Sequence, residues 1–153
     1  MLKNINPLLN PSLLYVLRAM GHGDVLSIVD SNFPADSVAS TTVHGEVIRF
    51  DGVGILEVAK AVFSVFPLDS FIEAPIQYMQ VVGESETTLE VHTDFHQIAL
   101  ENSDREWKMN SVERHSFYEQ SRKTYAVIAT AERRPYGCFM LTKGVIGPDG
   151  KVM

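Results

Sequence analysis

Apolar segments that read alternately as strand and helix run through most of this chain, and the alternation restricts its fold more than any other feature. Val25 to Val29 is a short strand ending at Asp30, and Val47 to Phe50 is another, closed by Asp51-Gly52. Ile76 to Val82, Trp107 to Val112 and Tyr125 to Thr130 also read as strands, the last being the clearest buried run. Helical patterns lie between them. Asn10-Pro11-Ser12 supplies a cap and a proline at the first helical position, Leu13, Leu14 and Leu17 recur at helical spacing, and Gly21 is a stop. Ile55, Leu56, Ala59, Val62, Phe63 and Phe66 form the stripe of a second helix ended by Pro67. Leu89 to Leu100 fits a helix with Phe95, Ile98 and Ala99 inward, and Phe117 to Lys123 a short one. Such a succession predicts an α/β fold with a largely parallel sheet flanked by helices. Cys138 to Leu141 is expected to pair beside Tyr125–Thr130, and the Gly- and Pro-containing tail after Gly144 to be loose. The length, 153 residues, predicts one domain spanning 1–153.

Composition removes several function classes. A net charge of −6 with no basic cluster is the wrong sign for nucleic acid, whose phosphates reward Lys and Arg. The longest apolar-rich stretch, Val53 to Phe66, contains Glu57 and Lys60 and is too short to span a bilayer. Cys138 is the only cysteine, so no internal disulfide forms. The opening residues lack the apolar core of a secretory signal, and the expected location is the cytoplasm.

Three clusters carry residues suited to chemistry. Gly21-His22-Gly23-Asp24 places a histidine between two glycines just before the strand that leads to Asp30. Histidine titrates near working pH, and its flanking glycines let a ligand approach the backbone. Asp30 would then meet the same ligand from the strand's end, where ligands of open α/β sheets usually sit. Spacing alone fits a helix cap followed by a solvated histidine at least as well. Arg133-Arg134-Pro135-Tyr136-Gly137-Cys138 is a turn that can present a tyrosine hydroxyl beside backbone N–H groups, and Arg114, His115 and Tyr118 lie close together upstream. His92 and His96 have the i, i+4 spacing of a zinc motif, but Thr93 occupies the glutamate position and no third ligand is evident. A solvated helix face is expected there, and no metal. Neither a phosphate-binding loop nor a dinucleotide fingerprint is present.

Taken in order, these pieces resemble the L-fucose mutarotase and D-ribose pyranase family, and within it the fucose branch. The resemblance rests on Met1-Leu2-Lys3 with Ile5 and Pro7, Ala19-Met20-Gly21-His22-Gly23-Asp24, Asp30, Asn32-Phe33-Pro34-Ala35, Asp51-Gly52, Phe117-Tyr118-Glu119, Ala131-Glu132-Arg133, Tyr136-Gly137 and Lys143-Gly144-Val145. It implies a mutarotase, an isomerase that interconverts cyclic forms of a free monosaccharide without a cofactor. By the same resemblance His22 matches the catalytic proton donor, and Asp30 and Arg114 match sugar-binding positions. Tyr136-Gly137 opens a contact segment whose third residue is asparagine in the family. Cys138 stands there instead, so the identity of the sugar is left open. The resemblance also implies ring-shaped homodecamers with sites near subunit boundaries. Tyr136, Asp30 or a water molecule remain alternatives for the second proton transfer. A non-catalytic sugar-binding or transport-associated protein is the competing class, and it would not depend on His22.

Overall fold

The computed structural model describes residues 2–103 and 105–153. Its elements follow in the order α1 (Pro11–Ala19), β1 (Val25–Val29), α2 (Ala35–Ala39), β2 (Val47–Phe50), α3 (Ile55–Phe63), β3 (Ile76–Met79), α4 (Glu90–Glu101), β4 (Met109–Val112), α5 (Arg114–Ser121), β5 (Ala126–Thr130) and β6 (Phe139–Thr142). The α/β reading is borne out. Six strands form one sheet in the order β2-β5-β1-β6-β3-β4. β1 pairs parallel with β5, β5 with β2 and β3 with β4, while β6 runs antiparallel between β1 and β3. The strands β1 to β5 therefore all point one way, and β6 alone is reversed.

Alternation along each strand separates two cores, as the twofold side-chain period requires. Leu26 and Ile28 of β1, Ala126 and Ile128 of β5, and Phe139 and Leu141 of β6 face α1, α3 and α4. Val29, Val127, Ala129 and Met140 face the opposite side, where they meet Val38 of α2 and Phe117 of α5. Phe95 of α4 stacks on Phe139 at 3.7 Å between ring centroids, which fixes α4 over β6. Phe95 and Ala99 are buried and Ile98 packs partly against them, as the helical pattern predicts.

Several expectations need correction. β6 lies beside β1 and β3 rather than beside β5. α2 carries too few residues to show a helical period and is invisible in the pattern. α5 begins at Arg114, three residues before the predicted start, because the Glu113 carboxylate accepts the His115 and Ser116 N–H groups at 2.8 and 3.0 Å. The tail is not loose. Ile146 bridges Val152, Met153 N–H donates to Val145 O, and Val152 packs against the larger core.

Lys143 ties this end of the molecule together. Its ammonium donates to the Leu17 and Met20 carbonyls at 2.7 and 2.6 Å, supplying partners to the carboxyl end of α1. The neighbouring Gly144 lies against the backbone of Leu68, and a Cβ there would sit 2.3 Å from the Leu68 carbonyl oxygen. Backbone cannot retreat as a flexible side chain does. Gly144→Ala is therefore expected to lower stability by about 2 kcal/mol or more, an overpacking cost. Urea unfolding should show a lower midpoint with an unchanged slope; a wild-type midpoint would contradict the contact.

Candidate functional site

The common direction of β1 to β5 collects their carboxyl ends on one edge of the sheet. Asp30 follows β1, Met79 ends β3, Arg114 opens α5 just after β4, and the turn 131–138 links β5 to β6. Asp30, Arg114, Tyr136 and Cys138 meet there around a cavity of about 180 Å³, together with Tyr118. Phe33 and Met79 complete its apolar side. A larger cavity of about 290 Å³ lies near Phe66 and Trp107, but no charged side chain is among its described lining residues.

Asp30 is 5% exposed. Burial pushes its carboxyl above the usual carboxylate range, while N–H groups of Asn32, Phe33 and Gly137 and the Cys138 thiol pull it back. The Asn32 N–H reaches Asp30 Oδ1 at 2.9 Å. Burial, reinforced by the Asp30 charge, holds the Cys138 thiol well above its ordinary pKa. Cys138 is thus a protonated donor towards Asp30 and a poor nucleophile. Arg114 Nε is buried and has no hydrogen-bond partner among the described residues. A buried N–H of a charged group left unpaired is costly, so this arginine is held at some expense beside the cavity it lines. Burial also raises the Tyr118 hydroxyl above its normal pKa, keeping it a neutral donor and acceptor.

Tyr136 is held in an unusual conformation. Its φ is +62°, in the left-handed region where a bulky side chain is costly by about 1–3 kcal/mol. A carboxylate knot organises the turn around it. Glu132 Oε1 accepts the N–H groups of Arg133 and Arg134 and the Arg134 Nε–H, and Oε2 accepts from Nη2. The remaining Arg134 Nη1 donates to Asp94 Oδ2 of α4 at 2.7 Å. The Arg134 hydrogen bonds hold the Glu132 carboxyl below its ordinary pKa against the opposing effect of burial.

The expected solvated face at His92 and His96 is not what the structure shows. His92 is fully buried, with Nδ1 accepting the Leu89 N–H at 3.2 Å and Nε2 3.1 Å from the Tyr136 carbonyl. An acceptor Nδ1 leaves Nε2 as the protonated nitrogen, so the ring is neutral and bridges the two backbone groups. His96 Nε2 lies against the Trp107 carbonyl.

His22 is elsewhere. Gly21-His22-Gly23-Asp24 precedes β1, so it lies on the amino edge of the sheet. Gly23 takes φ +83°, its N–H donates to Lys143 O, and the Asp24 carboxylate accepts the Gly21 N–H at 2.7 Å. His22 Nε2 lies 3.2 Å from Asp69 Oδ2, with Asp69 buried and the His22 side chain 47% exposed. The edge of Phe71 packs against the imidazole at 5.5 Å. Five strand residues at about 3.3 Å each put roughly 16 Å of β1 between the two edges. The structure therefore brings Asp30, Arg114, Tyr136, Gly137 and Cys138 together and leaves His22 apart. The expectation that His22 and Asp30 of one chain meet one ligand is overturned by that distance. Tyr118 was legible, since it sits four residues after Arg114 on one helix face. Asp69 gave no signal, because a bridge between Leu68 and Lys143, distant in sequence, brings it to His22.

A mostly parallel α/β sheet with a partly polar cavity at its carboxyl edge defines a small-molecule-binding class. Within that class, residues 3–146 match the RbsD / FucU transport protein family, and the chain belongs to it. It is similar to the fucose mutarotase of Danio rerio, 42% identical over 150 residues that cover 97% of this chain and 96% of the relative. The structure of FucU from Bifidobacterium longum has a TM-score of 0.87 at 38% identity, covering 95% and 100% of the two chains. The fucose mutarotase from Streptococcus pneumoniae, solved in complex with L-fucose, has a TM-score of 0.84 at 34% identity with the same coverage.

The neutral His92 makes stability depend on pH. Burial lowers its pKa in the folded state, so the unfolded chain takes up the proton first. Stability is expected to fall as pH drops below about 6.5, the unfolded value, and to keep falling until the folded pKa is reached. Urea titrations from pH 7 to pH 5 check this: His92→Gln should lose less stability over that range than the wild type. Parallel slopes would refute the assignment.

Proposed function

We propose that this chain is a monosaccharide mutarotase, an isomerase acting on L-fucose or a closely related sugar. The observation that carries this reading is the carboxyl-edge cavity, where Asp30 offers an acceptor and the Arg114 guanidinium a donor group to a polyhydroxy ligand. The named relatives supply the reaction. Ring opening transfers a proton to the ring oxygen and removes one from the anomeric hydroxyl; closure on the other face reverses both. The electron count is unchanged throughout, so the chemistry calls for no cofactor. One positioned acid or base contributes roughly 10²–10⁴-fold.

His22 is the proton donor in this reading, with Asp30, Arg114, Tyr136, Gly137 and Cys138 holding the sugar. A single chain keeps the donor and the cavity on opposite edges, so a second copy must bring its amino edge to the cavity of the first. The exposed Phe71 and Ile72 near His22 fit such a contact, since covering them removes apolar surface from water. Tyr15 on α1 and Leu2 are exposed in the same way and extend the apolar surface available to neighbours. The working unit is then a homo-oligomer, a decameric ring by analogy with the family, in the cytoplasm. Among the described residues no helix is long and apolar enough to cross a membrane. The competing reading, a sugar-binding protein without catalysis, draws on the same separation, because a lone chain has the cavity without the histidine.

Exchange NMR on anomeric protons across a panel of monosaccharides tests the reaction. His22→Ala should slow exchange by about tenfold or more with the fold intact, the scale of a lost general acid; wild-type rates in the variant would remove His22 from the chemistry. The composite site has its own signature. His22→Ala and Asp30→Asn should each fall to about a tenth of wild-type activity or less, yet random co-assembly of the two should recover about a quarter of it, because one pairing in four has both intact halves. No recovery, or full wild-type activity at a mass near 17.1 kDa, would put the site within one chain.

A further inference from the structure

The first turn of α4 touches the Tyr136 turn at three points. His92 Nε2–H donates to the Tyr136 carbonyl at 3.1 Å. Asp94 Oδ2 accepts from Arg134 Nη1 at 2.7 Å. Val91 Cγ2 packs beside Gly137, 3.4 Å from where a Cβ would stand. His92 is itself fixed. Its Nδ1 takes the Leu89 N–H, half of a capping box, and its ring lies 4.4 Å from Tyr78 and 5.9 Å edge-on to Phe139. The Tyr136 carbonyl also accepts the Cys138 N–H at 2.8 Å, so two donors hold it in place. This is the carbonyl of the residue with φ +62°, and the next two residues turn the Gly137 N–H and the Cys138 thiol towards Asp30. A left-handed tyrosine persists only where its surroundings over-determine it.

We propose that the first turn of α4 positions the sugar-contacting turn, with His92 as the positioning residue and the Asp94–Arg134 pair as a second anchor. His92 touches no ligand: it acts through the Tyr136 carbonyl, setting where the Tyr136 ring, the Gly137 N–H and the Cys138 thiol stand relative to Asp30. The proposal rests on the reading that the carboxyl-edge cavity takes the sugar, and it deepens that reading.

Two readouts on the full-length protein test it. In the unliganded protein, His92→Phe removes the donor and should speed hydrogen exchange of the Gly137 amide by about tenfold, the scale of one lost hydrogen bond. In anomer exchange with L-fucose, the same variant should raise KM by about tenfold with kcat within about threefold, because the turn holds sugar while His22 moves the proton. His92→Gln restores a donor and should return both values to within about threefold of wild type. Asp94→Asn, at a half-exposed site that tolerates change, should raise KM and Gly137 exchange in the same direction by a smaller factor. Should His92→Phe not fold, Asp94→Asn and His92→Gln decide the matter. Wild-type Gly137 exchange and KM in folded His92→Phe or in Asp94→Asn overturns the proposal, as does a fall in kcat alone. If the wild type does not exchange L-fucose anomers, the functional reading fails, while the Gly137 amide still decides the positioning role.

Discussion

β1 is hydrogen-bonded along both edges, to β5 on one side and β6 on the other, and is covered on both faces. A strand held this way behaves as a rigid strut, because shifting either end breaks two ladders and two packed layers. The glycine-flanked histidine hangs from one end and the buried carboxylate from the other. Their separation is therefore a fixed length, and no loop movement within one chain can close it. On the amino edge His22 is half exposed beside the exposed Phe71, whereas Asp30, Tyr136 and Cys138 on the carboxyl edge converge on one cavity. One edge is thus shaped to project and the other to receive.

The receiving edge is built by compensation. Asp30 is destabilised by burial and rescued by backbone N–H groups and a thiol. Tyr136 is strained and held by donors from α4 and its own turn. Arg134 neutralises Glu132 and reaches Asp94, so one guanidinium serves two carboxylates. Among the described buried side-chain atoms only the Arg114 Nε is left without such a partner, and its residue lines the cavity. Unsatisfied groups of this kind concentrate at binding sites, since the surrounding fold bears their cost.

How far all this could be read beforehand depends on the range of the interactions. Val25–Val29 and the run to Thr130 are buried on both faces, so their continuous apolar composition marks them as strands. Asn10 and Pro11 signal α1 through contacts within one turn, and the cap appears as read, with the Asn10 side chain accepting the Leu13 N–H. The neighbours of β6 are set by packing of Phe139 against α4, a contact between distant segments that local pattern does not encode. His92 misled for the same reason. Its spacing places it beside His96, but the carbonyl that captures it comes from Tyr136, 44 residues away. The grouping of Asp30, Arg114, Tyr136 and Cys138 around one cavity was legible from ordered motifs, whereas their separation from His22 depends on the direction of a strand that the motifs do not describe.

The lone reversed strand has a consequence for how such a molecule can diversify. Because β6 returns antiparallel, the chain re-enters the sheet on the edge where β5 leaves it, through only the eight residues 131–138. A parallel strand would have needed a crossover to the far edge and a covering helix. Three of the nine residues that line the cavity, Pro135, Tyr136 and Cys138, thus come from one short turn whose ends are fixed in the sheet. A change of side chain at Tyr136 or Cys138 would alter the cavity while the strands beneath stay as they are.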